Sequence, residues 1–524
     1  MKKRTILCLF LALTFACYGC GTGNSQAANE STSSNITNTA ETMSAVSTSE
    51  MFTDRDMEIG YDEQTGVPIT LSENSISCDS SAVQISGTTA TITEEGTYIL
   101  SGTLTNGMII IDAEDTDKIQ LVLDNAEITS TTSAAIYVKE ADKVFVTTAP
   151  ESNNLVANGG EYLAIDDNNI DAAIFSKSDI TLNGSGTLTI SAAAGHGVVS
   201  KDDLALTSGT YTITSAEHGL SGKDSVRISG GTFQIVSGKD GIHAENTDDT
   251  SLGFVYLCGG TFDITSEGDG LSAGAYLQIE DGTFAITTGS GSASVSMSSS
   301  TANVNPHGMP ETESTTTEDT DTVSQKGLKS DGNITISNGT FSLDTADDSI
   351  HAGGDILIAQ GKFDLRSGDD AVHSDKAVTI QNGSFTIPYC YEGIEGLSVT
   401  VENGTFDITS QDDGINAAGG ADSSGFGGAQ PQQEQFSSNS DSFIVINGGT
   451  FSIISTGDCI DSNGDLTING GTLNLTCNNS GNTALDTDGT YTNNGGDVTT
   501  NDGSENNPGG MGGQKGGGHA RGGF

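Results

Sequence analysis

The feature that most constrains this chain is a spacing. A Gly-x-aromatic step recurs with its aromatic residue at Tyr211, Phe233, Phe262, Phe284, Phe341, Phe363, Phe385, Phe406 and Phe451, with Leu188 before and Leu473 after. The successive gaps are 23, 22, 29, 22, 57, 22, 22, 21, 45 and 22 residues. A second column contains His196, His218, Asp240, Asp269, Lys326, Asp348, Asp370, Glu392, Asp413 and Asp458, with gaps of 22, 22, 29, 57, 22, 22, 22, 21 and 45. Two columns that share one period mark a structural repeat of about 22 residues, and the long gaps mark insertions.

Each unit reads as a strand, an Asn-Gly or Gly-Gly turn, a second strand, an Asp-Gly corner and a third short strand. "ITISNGTFSL" alternates apolar and polar residues, as a strand with one buried face does. No unit has room for an ordinary helix, which excludes ankyrin and tetratricopeptide designs, and the calcium nonapeptide of β-rolls is missing. The expected fold is all-β, a right-handed parallel β-helix with about three short strands per coil. Stacking about 4.8 Å per coil turns the aromatic column into an internal ladder. About 15 to 16 such coils fit between residues 80 and 490.

Residues 1–20 carry a basic start (Lys2, Lys3, Arg4), a short apolar run and a small-residue step at Gly19-Cys20-Gly21, the pattern of an export signal. Cys20 is the preferred lipidation site, with Cys17 the other candidate; simple secretion is the alternative. Residues 21–69 read as a Ser/Thr-rich tether and 70–492 as the β-helix. Two long insertions, about 290–323 and 419–442, lack strand alternation and read as disordered loops, as does the Gly/Asn-rich tail at 493–524. The remaining cysteines, Cys78, Cys258, Cys390, Cys459 and Cys477, match no zinc spacing and read as buried free thiols.

Asp plus Glu number 70 against 19 Lys plus Arg, a formal charge of −51. That excess excludes nucleic acid as a direct partner, leaves a lipid anchor as the only route to a membrane, and favours cations. Glycine-rich steps precede no helix, so no nucleotide site is expected. With no Trp, a flat aromatic platform for crystalline glycan is not expected either.

The runs "EEGTYILSGTL", "KIQLVLDNAEIT", "SAAIYVKEADKVFVTT", "HGVVSKDDLALTSGTYTI" and "HGLSGKDSVRISGGTF" resemble a family of bacterial secreted carbohydrate-binding domains. The "SKDDL" and "GKDSV" steps are the most specific pieces. The resemblance implies a right-handed parallel β-helix related to family 9 polysaccharide (pectate) lyases. It also implies calcium-assisted binding of plant cell-wall polysaccharide, acidic pectic chains included.

Three Asp-Asp corners, Asp347-Asp348, Asp369-Asp370 and Asp412-Asp413, stand in the second column, with Glu392 in the coil between the last two. Carboxylates stacked one coil apart repel unless a cation intervenes, which makes these six residues the candidate Ca²⁺ ligands. Plain side-chain to backbone bonding at tight corners is the competing account. His351 and His373 fall on adjacent coils, where they could join Asp348 and Asp370 at a transition metal; a solvent-facing stack is the expectation. Lys177, Lys201 and Lys223 line up beside aspartates on one coil edge. Lys329, expected near Asp347 and Asp348, is the one candidate base for a lyase, although neighbouring carboxylates oppose that role. The sequence therefore points first to an exported polysaccharide-binding protein. A calcium-dependent pectate lyase and a non-binding spacer rod are the alternatives.

Overall fold

The computed structural model describes residues 51–160, 162–295, 323–418 and 441–508. One coil shows why the repeat folds as it does. Thr210–Ser215, Leu220–Gly222 and Ser225–Ile228 are its three strands. Each pairs in parallel with its counterpart one coil on: Thr232–Ser237, Ile242–Ala244 and Phe254–Leu257. Three parallel ladders result, here termed the aromatic, corner and third ladders. This is the expected parallel β-helix. The aromatic ladder runs through sixteen strands from Val67–Glu73 to Asp497–Thr500.

In-register pairing forces like onto like, so the aromatic column becomes a stack inside the coil. Phe233 and Phe262 lie 4.9 Å apart with ring planes 6° from parallel. The stack continues across both insertions: Phe284 meets Phe341 at 4.9 Å, and Phe406 meets Phe451 at 4.6 Å. An insertion therefore leaves the coil and returns one rung later. The glycine two residues before each ring is required by the turn. Gly339 has φ 142°, and a Cβ there would stand 2.8 Å from the Phe341 ring.

The ends differ from expectation. Residues 51–58, read as tether, are packed on the outside of the third ladder. Asp56 is buried, its carboxylate 2.8 Å from Lys143 Nζ and accepting from Thr181 Oγ1 at 2.6 Å. Arg227 donates to the Met51 carbonyl at 2.9 Å, and the Arg55 guanidinium lies 4.4 Å over the Phe145 ring. This segment is polar because its partners are polar, so composition alone disguised it as linker. Residues 491–508, read mostly as disordered tail, continue the fold: Asp497–Thr500 pairs with the strand Thr472–Cys477, and Ser504 is buried. The Asn and Gly there are the repeat's own turn residues. The start of the first insertion is also fixed, because Ser292 donates to Asp344 Oδ1 from its backbone N–H (2.8 Å) and its hydroxyl (2.7 Å).

The five cysteines in the described residues are free thiols, with Cys390, Cys459 and Cys477 buried. Cys20 and Cys17, residues 296–322 and 419–440, and the end of the chain from 509 lie outside the described residues.

Candidate functional site: the corner face

The second column opens the corner strands, and its side chains have a structural task. Seven of its ten members accept the backbone N–H of their counterpart one coil on. His196 Nδ1 accepts from His218 at 3.1 Å and His218 Nδ1 from Asp240 at 3.1 Å. Asp240 Oδ1 accepts from Asp269 and Asp269 Oδ1 from Lys326, both at 2.8 Å. Further on, Asp348 serves Asp370 (3.0 Å), Asp370 serves Glu392 (3.0 Å) and Asp413 serves Asp458 (2.6 Å). Imidazole and carboxylate exchange freely in this column because both place an acceptor at the same reach. Much of the carboxylate ladder is thus corner chemistry, and only the second oxygen of each group is available for another role.

Lys326 has no acceptor and breaks the ladder. Asp347 Oδ1 takes the orphaned Asp348 N–H at 3.0 Å, which accounts for one doubled aspartate. The Lys326 ammonium lies 2.5 Å from Asp348 Oδ2 and 2.9 Å from Asp347 Oδ1. Burial alone would raise the Asp348 pKa, but Lys326 and the His351 hydrogen bond hold it well below the usual carboxylate range. Lys329, expected beside this pair, is elsewhere. It faces outward in register with Ser272 and His351, 3.7 Å from Asp269 and 3.9 Å from Asp331. The intervening Gly327 and Leu328 turn the chain, so Lys326 and Lys329 serve different coils.

Of the six predicted calcium ligands, Asp347, Asp348 and Asp369 bring oxygens within 4.8 Å of one another. Asp370 follows one coil on. Asp412 and Asp413 are separated from these by the coil of Glu392, and Asp413 is joined instead to Asp458.

His373 corrects a second expectation, since its side chain is 1 % exposed and not solvent-facing. Its ring stacks on His351 at 4.9 Å, but each Nδ1 faces the carboxylate of its own coil, so the two do not converge on one metal. His373 Nδ1 lies 3.0 Å from Asp370 Oδ2 and 2.8 Å from Glu395 Oε2. Burial opposes its protonation, yet the two carboxylates push its pKa up to about 12. Glu392, buried among Glu395, Asp370 and Asp413, is pushed well above the usual carboxylate range, by burial first and by those neighbours second. It accepts from Asn416 Nδ2 at 3.0 Å, while the Asn416 carbonyl oxygen is buried without a hydrogen bond.

Two clusters escaped the sequence reading. Asp240 Oδ2 sits 2.8 Å from His243 Nδ1 and 3.3 Å from His218 Nδ1, with the two rings stacked at 4.2 Å. The signal was the column itself, which sets His218 one coil from His243. The other cluster is Asp458, Asp461 and Asp486, whose oxygens lie within 4.8 Å of one another. Burial pushes Asp458 up to about 6, with Asp486 and Asp412 adding to it against the opposing Thr483 hydrogen bonds. Between Lys376 and Lys515 the sequence contains no Lys, Arg or His, so no side-chain cation from this stretch can serve that cluster.

His243, His373 and Asp461 share one register of the corner ladder, partly covered by neighbouring chain. Register carries the face from Tyr137 and Phe175 through Val199, Ser221, His243, Ser272, Lys329, His351, His373, Glu395 and Asn416 to Asp461. A parallel β-helix with titratable side chains spaced along its corner ladder from His243 to Asp461 defines a class of elongated scaffold. The chain belongs to the family described as carbohydrate-binding domain-containing protein, which matches residues 86–371, 353–425 and 370–508. A carbohydrate-binding domain-containing protein of Acetivibrio thermocellus is 39% identical over 124 residues, which are 23% of this chain and 43% of that relative. The match thus spans less than half of the relative's length. A solved polysaccharide lyase-like protein from C. thermocellum, a gadolinium derivative, is 33% identical, with a TM-score of 0.41, covering 43% of this chain and 92% of that one.

Proposed function

We propose that this protein is exported, tethered through a lipid on Cys20, and binds acidic plant cell-wall polysaccharide along the corner face with the help of Ca²⁺. The family membership supports carbohydrate binding. The observation that carries the cation is the Asp458, Asp461 and Asp486 cluster in a stretch without a basic side chain. Asp347 and Asp348 fit a bound ion less well than the sequence suggested, because Lys326 already stands between their oxygens. The donor set at Asp458, Asp461 and Asp486 is all carboxylate oxygen, which suits a hard ion, and the unpaired Asn416 carbonyl one coil away and Glu392 and Glu395 two coils away offer more oxygen. When bound, Ca²⁺ would supply positive charge to which a uronate carboxylate can attach. The protein's own residues hold the ion and present the face.

Binding is proposed rather than cleavage. Lys329 stands opposite Asp269 and Asp331, away from the carboxylates that would have to hold a substrate-bridging ion beside it. The test is retention on immobilised polygalacturonate with Ca²⁺ and with EDTA, alongside a glycan array. Retention should weaken severalfold in chelator. Equal retention in both would remove the calcium role, and silence across the array would remove the binding role.

A further inference from the structure

On a chain of charge −51, the positive side chains that gather in one place stand out. Lys177 follows the corner strand Ala172–Ser176, and its N–H bonds the carbonyl of Val138, next to Lys139. Lys201 repeats the arrangement on Ser176 at 2.8 Å, and Lys223 on Ser200 at 3.0 Å. Lys139, Lys177, Lys201 and Lys223 therefore occupy the same corner on four consecutive coils. One coil on, the position passes to Glu245.

The end members are held by carboxylates: Lys139 by Asp112 at 2.7 Å and Lys223 by Asp248 at 2.5 Å. The middle two are exposed and make no ion pair among the described residues. Lys201 Nζ lies 5.4 Å from the Phe175 ring, whose outer face backs the strip. Asp202, beside it, is pushed up to about 7 by burial and by Asp179, Asp224 and Asp203, which lessens the negative charge next to the lysines at neutral pH.

We propose that this lysine strip is a metal-independent subsite for a polyuronate chain lying parallel to the coil axis, its carboxylates meeting Lys177 and Lys201. The inference rests on the polysaccharide-binding reading and adds to it a location and a mode of attachment that needs no metal. Lys177 and Lys201 are long, exposed side chains on adjacent coils, so a polyuronate chain laid along the axis brings carboxylates within reach of both. The strip lies on the edge of the same face that ends at Asp461, so one chain can engage ammonium groups at one end and cation-loaded carboxylates at the other. Charge complementarity selects the occupant: nowhere else in the described residues do four basic side chains occupy one position on consecutive coils.

The experiment is affinity electrophoresis of the full chain through polygalacturonate, with EDTA throughout and at rising NaCl. The probes are wild type, the double variant K177Q/K201Q and the charge-retaining K177R/K201R; fully methyl-esterified pectin is the neutral polymer. Wild type in EDTA should show retention that salt weakens, absent on esterified pectin. K177Q/K201Q should lose about tenfold in affinity, the worth of two exposed ion pairs, and K177R/K201R should not. Both lysines are solvent-facing, so unchanged melting of the variants certifies the fold. The subsite is overturned if wild type in EDTA is not retained, or if K177Q/K201Q is retained like wild type. A parallel run with Ca²⁺ in place of EDTA reports on the proposed function separately, since calcium-dependent retention can survive loss of the strip.

Discussion

Lys326 does inside the coil what a bound cation would do, and replacing it with Met tests that equivalence. Lys326→Met keeps most of the buried stem while removing the ammonium from Asp348 and Asp347. Asp348 is 0 % exposed and retains only His351 as a charge partner. Breaking a buried pair from one side costs about 3–5 kcal/mol. In a repeat architecture that cost is felt locally, by the coils on either side. Amide exchange in Leu328–Ser330 and Ile350–Ala352 should therefore accelerate by about two to three and a half orders of magnitude, at about 1.4 kcal/mol per decade. The oxygens vacated at Asp347 and Asp348 then join Asp369 in an all-carboxylate site. Ca²⁺ at about 100 times its dissociation constant should restore about 2.7 kcal/mol, an effect wild type should not show at these coils. Hydrogen exchange with and without Ca²⁺ measures both parts. Exchange in the variant within threefold of wild type, or a variant indifferent to Ca²⁺, would refute the reasoning.

Three further outcomes are expected. Asp56, held at about 2 despite burial by Lys143, Thr181 and Thr53, contributes about 2 kcal/mol at neutral pH. Because its folded pKa is depressed, that contribution is lost as pH falls from about 4 to 2, so protease cleavage near residue 58 should rise in that window; in Asp56→Ala it should be high at pH 7 as well. Phe341→Ala removes one ring from a continuous stack and should cost about 3–5 kcal/mol in urea unfolding, with the loss centred on neighbouring coils. In the double variant D461N/D486N, the rise in melting temperature produced by Ca²⁺ in wild type should disappear; a full-sized rise would place the ion elsewhere.

How much was legible in the sequence followed from which contacts the repeat itself dictates. In-register parallel pairing stacks residue on equivalent residue, so Phe233, Phe262 and Phe284 announced the coil and its period without any other information. Contacts that cross the period were not announced. Asp56 and Lys143 are far apart in sequence, and nothing in the polar run around Met51 marks it as a docking segment. Lys326 and Lys329 are three residues apart and equally plausible beside Asp348 on paper; a corner turn decides between them. The Asp-Asp motif suggested metal because charge repulsion was weighed above side-chain to backbone bonding at the corner, which is what Asp347, Asp348, Asp370 and Asp413 perform.

That service runs in one direction. Each column side chain that accepts a column amide takes it from the coil after its own, so the column has a direction along the coil axis. A substitution that removes an acceptor leaves its own coil intact and strands the next one. The column uses His at its first rungs and Asp at later ones for the same amide, which lets the chemistry of the corner change along the coil axis. It cannot admit a lysine unless the following coil grows an acceptor of its own, and the Asp347-Asp348 doublet after Lys326 records that compensation.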